Sequence, residues 1–186
     1  MKPKLIPVLA LAGGLSLAMA ACSGNDSATD TNATATGTAT PAAAATPDHA
    51  SQFLTDVIQT NNAEIKFGQA AQSTGSTQAV RDFGKMLVDD HTKANAQASE
   101  IAKALNVIVP TSIKPDDMAT YNMVTGMKGA GFDKDFADAM VKGHQNAIDK
   151  FRKEADSGDP AQVTDFAKQT LPTLKKHLET AKSLQK

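Results

Sequence analysis

Four long stretches between residues 49 and 184 carry apolar side chains at intervals of three and four, and nowhere does the chain alternate apolar and polar residues as a half-buried strand would. That period belongs to amphipathic helices, so the pattern excludes a β architecture from the outset. The first helix is predicted over about 49–73, with Asp48 as N-cap and Leu54, Val57, Ile58, Asn61, Ile65 and Gly68 on one face. A short "STGST" turn leads to a second helix over about 77–105, capped by Ser76, with Val80, Phe83, Leu87, His91, Ala98 and Ile101 in its stripe. A third, over about 132–156, presents Phe132, Phe136, Met140, His144, Ile148 and Phe151. The fourth, over about 160–184, is expected to have Asp159 as cap and Pro160 at its first position, and it aligns Val163, Phe166, Leu174, His177 and Ala181.

The connection between the second and third helices is too long for a tight hairpin, and a shorter helix is predicted within it over about 116–127. Two short-turn pairs joined by a long crossover predict an all-α, ferritin-like four-helix bundle; the alternative is a simple up-down-up-down bundle with the short helix across one end. Pro172 removes a backbone donor within the fourth helix and crowds the carbonyl near Lys168, which predicts a kink or bulge between about 168 and 172.

Ahead of this domain, at residues 48–186, the composition changes. Residues 22–47 contain nothing aliphatic larger than Ala and no aromatic, so they cannot bury enough apolar surface to offset chain entropy; a disordered tether is expected. Residues 1–21 read as a targeting segment, with Lys2 and Lys4 followed by a short apolar run ending in "LAMAACSG". The cysteine there is the only one in the chain, so no intramolecular disulfide can form. Its place resembles the lipid-attachment box of bacterial lipoproteins, which makes Cys22 the expected acylation site and the membrane the expected partner. Ordinary secretory cleavage is the alternative. Ser23, rather than Asp, after the cysteine resembles the sorting pattern for the outer over the inner membrane, with the domain facing the periplasm. Of the 19 basic residues, 17 remain once Lys2 and Lys4 are removed, against 20 acidic ones, a net of −3. A mildly acidic chain without a basic face is not expected to bind nucleic acid. The residues point to no particular protein partner.

Three histidines interrupt the apolar stripes. His91 stands four after Leu87, His144 four after Met140, and His177 three after Leu174, so each faces the bundle axis. Glu64 lies at the edge of the first helix's stripe, and Asp90 does the same on the second. Counted along a ferritin-like topology, Glu64, His91, His144 and His177 fall within a spread of roughly 9 Å at 1.5 Å per residue. They could form a metal site, His91, His144, His177 and Glu64 as ligands with Asp90 orienting an imidazole. The competing reading is a metal-free, hydrogen-bonded polar network that sets helix register. A histidine-rich donor set suits a single Zn or Cu ion. Di-iron chemistry fits poorly, since a ferritin-type site needs Glu three residues before His on two helices, and here Val88 and Leu174 occupy those places. Met140 could add a thioether, although a core role suits it better. His49, in the first turn of the first helix, reads as solvated. No Gly-rich phosphate loop, Cys/His pair or serine elbow occurs, so no catalytic residue is assigned and enzyme activity is not the favoured reading.

The segments "NNAEIKFGQAA", "VRDFGKMLVDDH", "GFDKDFADAMVKGHQNAIDKF" and "LPTLKKHLETA" resemble the bacterial domain of unknown function 4142 family over about residues 49–184. The resemblance implies an exported, often tethered helical bundle of ferritin-like fold without an established activity. The family's Glu, Asp-His, His and His positions fall on Glu64, Asp90 with His91, His144 and His177. Together these readings favour an envelope lipoprotein with a histidine-centred metal site, against a structural or interaction module.

Overall fold

The computed structural model describes residues 48–186. The targeting segment, Cys22 and the tether expected at 22–47 lie outside the described residues. Five helices and no strand occur among those described: α1 Asp48–Thr74, α2 Gln78–Ala104, α3 Pro115–Gly126, α4 Gly129–Ala155 and α5 Ala161–Leu184. The four long helices form the bundle. α1 packs on α2 and α4 on α5, with α2 against α5 and α1 against α4 closing the ring, while α3 lies on α1 and α4.

The polar contacts at each end define the topology. Asp133, near the start of α4, accepts from the amide and hydroxyl of Ser76 (2.8 and 2.6 Å) and from the Thr77 amide (3.2 Å), which ties α4 to the α1–α2 turn. At the opposite end His49 Nδ1 meets Asp159 Oδ2 at 2.6 Å, joining the first turn of α1 to the α4–α5 turn. The crossover through α3 therefore returns the chain along the bundle, so that α2 and α4 run parallel, as in the ferritin-like arrangement.

Several helix ends differ from the sequence expectation. Thr77, not Ser76, caps α2, accepting from Val80 N at 3.3 Å; Ser76 is drawn away by Asp133. Pro160 holds the cap position of α5 without a side-chain cap bond, because Asp159 is engaged by His49. Asp48 is already the first residue of α1. α4 begins at Gly129, ahead of the apolar pattern, where a φ of 56° favours glycine. α2 stops through Asn106, at φ 58°, with Val107 N bonded to Ala102 O (2.8 Å) and Asn106 N to Lys103 O (3.1 Å), a Schellman end built on Asn.

α5 runs without interruption through Pro172, and the expected bulge is not there. Proline removes the donor to the Lys168 carbonyl from this helix. Both residues are exposed, so water can serve that oxygen and the ring faces solvent.

α1 and α2 approach each other closely at a pair of glycines. A Cβ on Gly68 would lie 2.6 Å from the Gly84 carbonyl oxygen, and one on Gly84 would lie 2.7 Å from the Gly68 oxygen. Only two glycines permit this contact. Asn61 and His91 each stand seven residues from their glycine, about two turns toward the bundle's middle, so antiparallel register places them opposite one another. Gly84→Ala should lower unfolding free energy by about 1–3 kcal/mol through overpacking, read as a lower denaturant midpoint with unchanged slope. An unaltered midpoint would show that the helices separate freely and that the contact does not set their spacing.

Candidate metal centre

The core divides into two apolar halves. One gathers Leu54, Val57, Ile58, Ala98, Ile148, Phe151, Phe166 and Leu174; the other Phe67, Phe83, Leu87, Phe132, Phe136, Met140 and Ala181. On every long helix the switch from one half to the other happens at a buried polar residue: Asn61 and Glu64 on α1, His91 on α2, His144 on α4 and His177 on α5. A polar layer thus crosses the bundle near mid-height.

Within it the three imidazoles meet. Ring centroids are 5.2 Å apart for His144 and His177, 5.3 Å for His91 and His177, and 5.8 Å for His91 and His144. One ring nitrogen from each lies within 4.8 Å of the other two, and His144 Nε2 is 3.2 Å from His177 Nδ1. A cavity of about 240 Å³ is lined by all three, with Asn61, Glu64 and Asp90 among its walls. Glu64 shares this cavity but stands outside the trio of mutually close donors.

The outward nitrogens all face acceptors. His144 Nδ1 donates to the Met140 carbonyl (2.9 Å), His177 Nε2 to Asp90 Oδ2 (3.0 Å), and His91 Nδ1 to Asn61 Oδ1 (2.9 Å). A carbonyl and a carboxylate can only accept, so in neutral His144 and His177 the proton sits on the outward nitrogen and the inward one is a bare lone pair; the Asn61 amide, placed with Oδ1 toward His91 and Nδ2 without a partner, gives His91 the same tautomer. His144 Nε2 and His177 Nδ1 then face each other with no proton between them, and His91 Nε2 is buried with no partner at all. A proton on His177 would bridge the pair, but burial holds that imidazole below its ordinary range despite Asp90. Burial, with the neighbouring rings, likewise pushes His144 down to about 4 and His91 well below 6.5. The site is poor at holding protons and rich in converging lone pairs.

Glu64 is the complementary group. Burial, and then the charge of Asp117, push its carboxyl up to about 8, and its Oε2 has no hydrogen-bond partner. Gly143 of α4 faces it, and a Cβ there would stand in ordinary contact, 3.4 Å from Glu64 Oε1. Met140 touches His144 through its backbone oxygen, while its side chain belongs to the apolar half.

Sequence reasoning placed the three histidines and Asp90 on the right faces and missed two features. Asn61 was read only as part of a stripe, yet it orients His91 from across the α1–α2 interface. His49 is largely solvated, as expected, but its ring also contacts Asp159 and Glu154. The available signal was Glu154 itself, a carboxylate three residues after Phe151 on an apolar stripe.

A family model for a domain of unknown function (DUF4142) matches residues 35–184. The chain belongs to that family. No curated protein matches it. Among solved structures it is similar to a crystal structure of a DUF305 fragment from Deinococcus radiodurans, with 14% sequence identity and a TM-score of 0.67 over 75% of this chain and 97% of that one. At that identity the likeness shows the fold alone: this DUF4142 domain and the DUF305 fragment share a helical bundle.

The buried groups predict a two-sided pH dependence for the chelator-treated protein. The histidines are held neutral, so below 6.5 the unfolded chain takes up protons the folded one refuses, and stability falls toward pH 4. Glu64 acts in the opposite sense. Folded, it keeps its proton up to about 8, whereas unfolded it loses it near 4.5, so stability falls as pH rises across that interval. Glu154, raised to about 7, adds to the lower part of that decline. Glu64→Gln should therefore flatten the decline between about pH 7 and 8, where one proton is worth at most about 1.4 kcal/mol per unit, and leave the acid side intact. Melting temperatures across pH for both proteins decide this; parallel curves on the alkaline side would refute a protonated Glu64.

Proposed function

We propose that this DUF4142 domain binds a single transition-metal ion through His91, His144 and His177, in a cell-envelope protein that works by binding or stress protection rather than catalysis. One observation carries the reading: an acceptor behind every ring leaves three bare nitrogens facing a common centre. A cation is the group that satisfies all three at once. Leaving them unpartnered would cost about 1–3 kcal/mol each. The 3.2 Å between His144 Nε2 and His177 Nδ1 is close to the roughly 3.3 Å between ligands of a tetrahedral ion with 2.0–2.1 Å bonds. His91 would draw in to complete the set.

Glu64 is the fourth ligand in this reading, giving up its proton to the cation it faces. Asp90, the Met140 carbonyl and Asn61 orient the rings from behind. Three imidazoles and one carboxylate suit Zn, with Cu the alternative. The paired bridging carboxylates of a di-iron centre are missing, which speaks against ferroxidase chemistry.

The envelope part of the proposal rests on the sequence "LAMAACSG" and on the composition of residues 22–47. In it Cys22 is acylated and anchors the domain to the membrane, the outer membrane by the Ser23 pattern, with the bundle in the periplasm. No helix among the described residues is long and apolar enough to cross a membrane, so an attachment would fall to the lipid. Cys22→Ser should move the chain from the membrane fraction to the soluble one; wild-type chain already soluble would overturn the anchor.

Metal analysis tests the centre. The chain purified without a His tag should carry one ion at this centre, and His91→Ala, His144→Ala and His177→Ala should each lower its metal content by that one equivalent. Asp90→Asn should keep the stoichiometry but weaken affinity about 10–100-fold, as expected of a group that orients a ligand. A metal-free wild type that gains no thermal stability from Zn, Cu, Fe or Mn would leave instead a structural module with a hydrogen-bonded core.

A further inference from the structure

A second group of donors lies at the end of the bundle, away from the histidine layer. His49 comes from the first turn of α1, Glu154 from the last turn of α4, and Asp159 from the turn before α5. His49 Nδ1 is 2.6 Å from Asp159 Oδ2 and 3.4 Å from Glu154 Oε2, and the three ligand atoms lie within 4.8 Å of one another. The acids are not surface ornaments: side-chain exposure is 1% for Glu154 and 8% for Asp159, against 65% for His49. Glu154 Oε1 accepts from the Ser157 hydroxyl at 3.3 Å, but Oε2 is buried, has no hydrogen-bond partner and is aimed at the imidazole.

Two buried carboxylates side by side are unfavourable unless a proton or a cation stands between them. In the metal-free chain the proton serves: burial, and then the adjacent Asp159, push Glu154 up to about 7. A divalent ion would do this better, since it can neutralise both acids and use the imidazole nitrogen that now only donates to Asp159. We propose that His49 Nδ1, Glu154 Oε2 and Asp159 Oδ2 form a second site, for a divalent cation of the Zn²⁺ class, that clips the start of α1 to the α4–α5 turn. One nitrogen and two carboxylate oxygens are a donor set that Zn²⁺ accepts, and the exposed side of His49 leaves a coordination position for water. Binding displaces the His49 Nδ1 proton and the Glu154 carboxyl proton, so proton release accompanies it. The role is structural. It ties together three segments distant in sequence at the one end of the bundle that has no covalent turn holding α1.

The site is independent of the histidine layer, and the test separates them. Zn²⁺ is titrated calorimetrically into the full chain, purified without a His tag, and melting temperature is followed with and without Zn²⁺. In a His144→Ala, His177→Ala background one Zn²⁺ equivalent should remain, with proton release and a raised melting temperature. Adding His49→Ala, a change at an exposed position that the fold should tolerate, removes all three. Should the background fail to fold, His49→Ala in the otherwise native chain should lower Zn²⁺ stoichiometry by one, and Glu154→Gln should do the same. Stoichiometry and melting temperature that His49→Ala leaves unchanged would overturn the second site. Loss of binding only on changing His144 or His177 would overturn it too, while sparing the central one.

Discussion

Where Gly68 of α1 meets Gly84 of α2, each glycine faces the other's carbonyl oxygen at a distance no side chain could share. That contact sets both the spacing of the two helices and their register. Two turns away Asn61 then stands opposite His91 and can orient its ring. The polar layer depends on this. A bulkier residue at either glycine would push α1 outward and withdraw Asn61 and Glu64 from the cavity that the histidines line.

The layer itself shows how an apolar core can hold polar groups in an unresolved state. Burial favours neutral imidazoles and a protonated Glu64, so these four side chains bring little charge to the cavity, whose wall also includes Asp90. Acceptors behind the rings settle where each proton sits, and three lone pairs are left converging. An arrangement held only for register would gain more from donors and acceptors that pair. Phe83, Leu87, Met140 and Leu174 of the two apolar halves flank this layer, and the proposed cation is the group that would satisfy the three lone pairs together.

The fold was largely legible because the helical period of the apolar residues is long, repeated and uncontradicted by strand signals. Stripe positions such as Leu87, Phe136 and Leu174 are buried as the period requires. The helix ends were less legible, since Ser76 and Asp159 are both good caps by type and both were claimed by partners more than fifty residues away. Glu64, expected at the edge of its stripe, is buried because α3 covers that side of α1, with Tyr121 edge-on to Phe67 at 5.4 Å, and widens the face that is hidden from water.

Of the candidate site, the sequence by itself determined that one histidine on each of three helices faces inward, because residues three and four apart share a helix face. It also determined the compositional change ahead of the domain and the single cysteine on which the anchor proposal rests. Only the tertiary structure decided that the three rings lie at one height, that Asn61, Met140 O and Asp90 stand behind them, and that His49 reaches two buried acids. The reason is physical. Periodicity specifies direction around a helix axis, but height along the bundle follows from how turns, crossover and glycine contacts set one helix against the next.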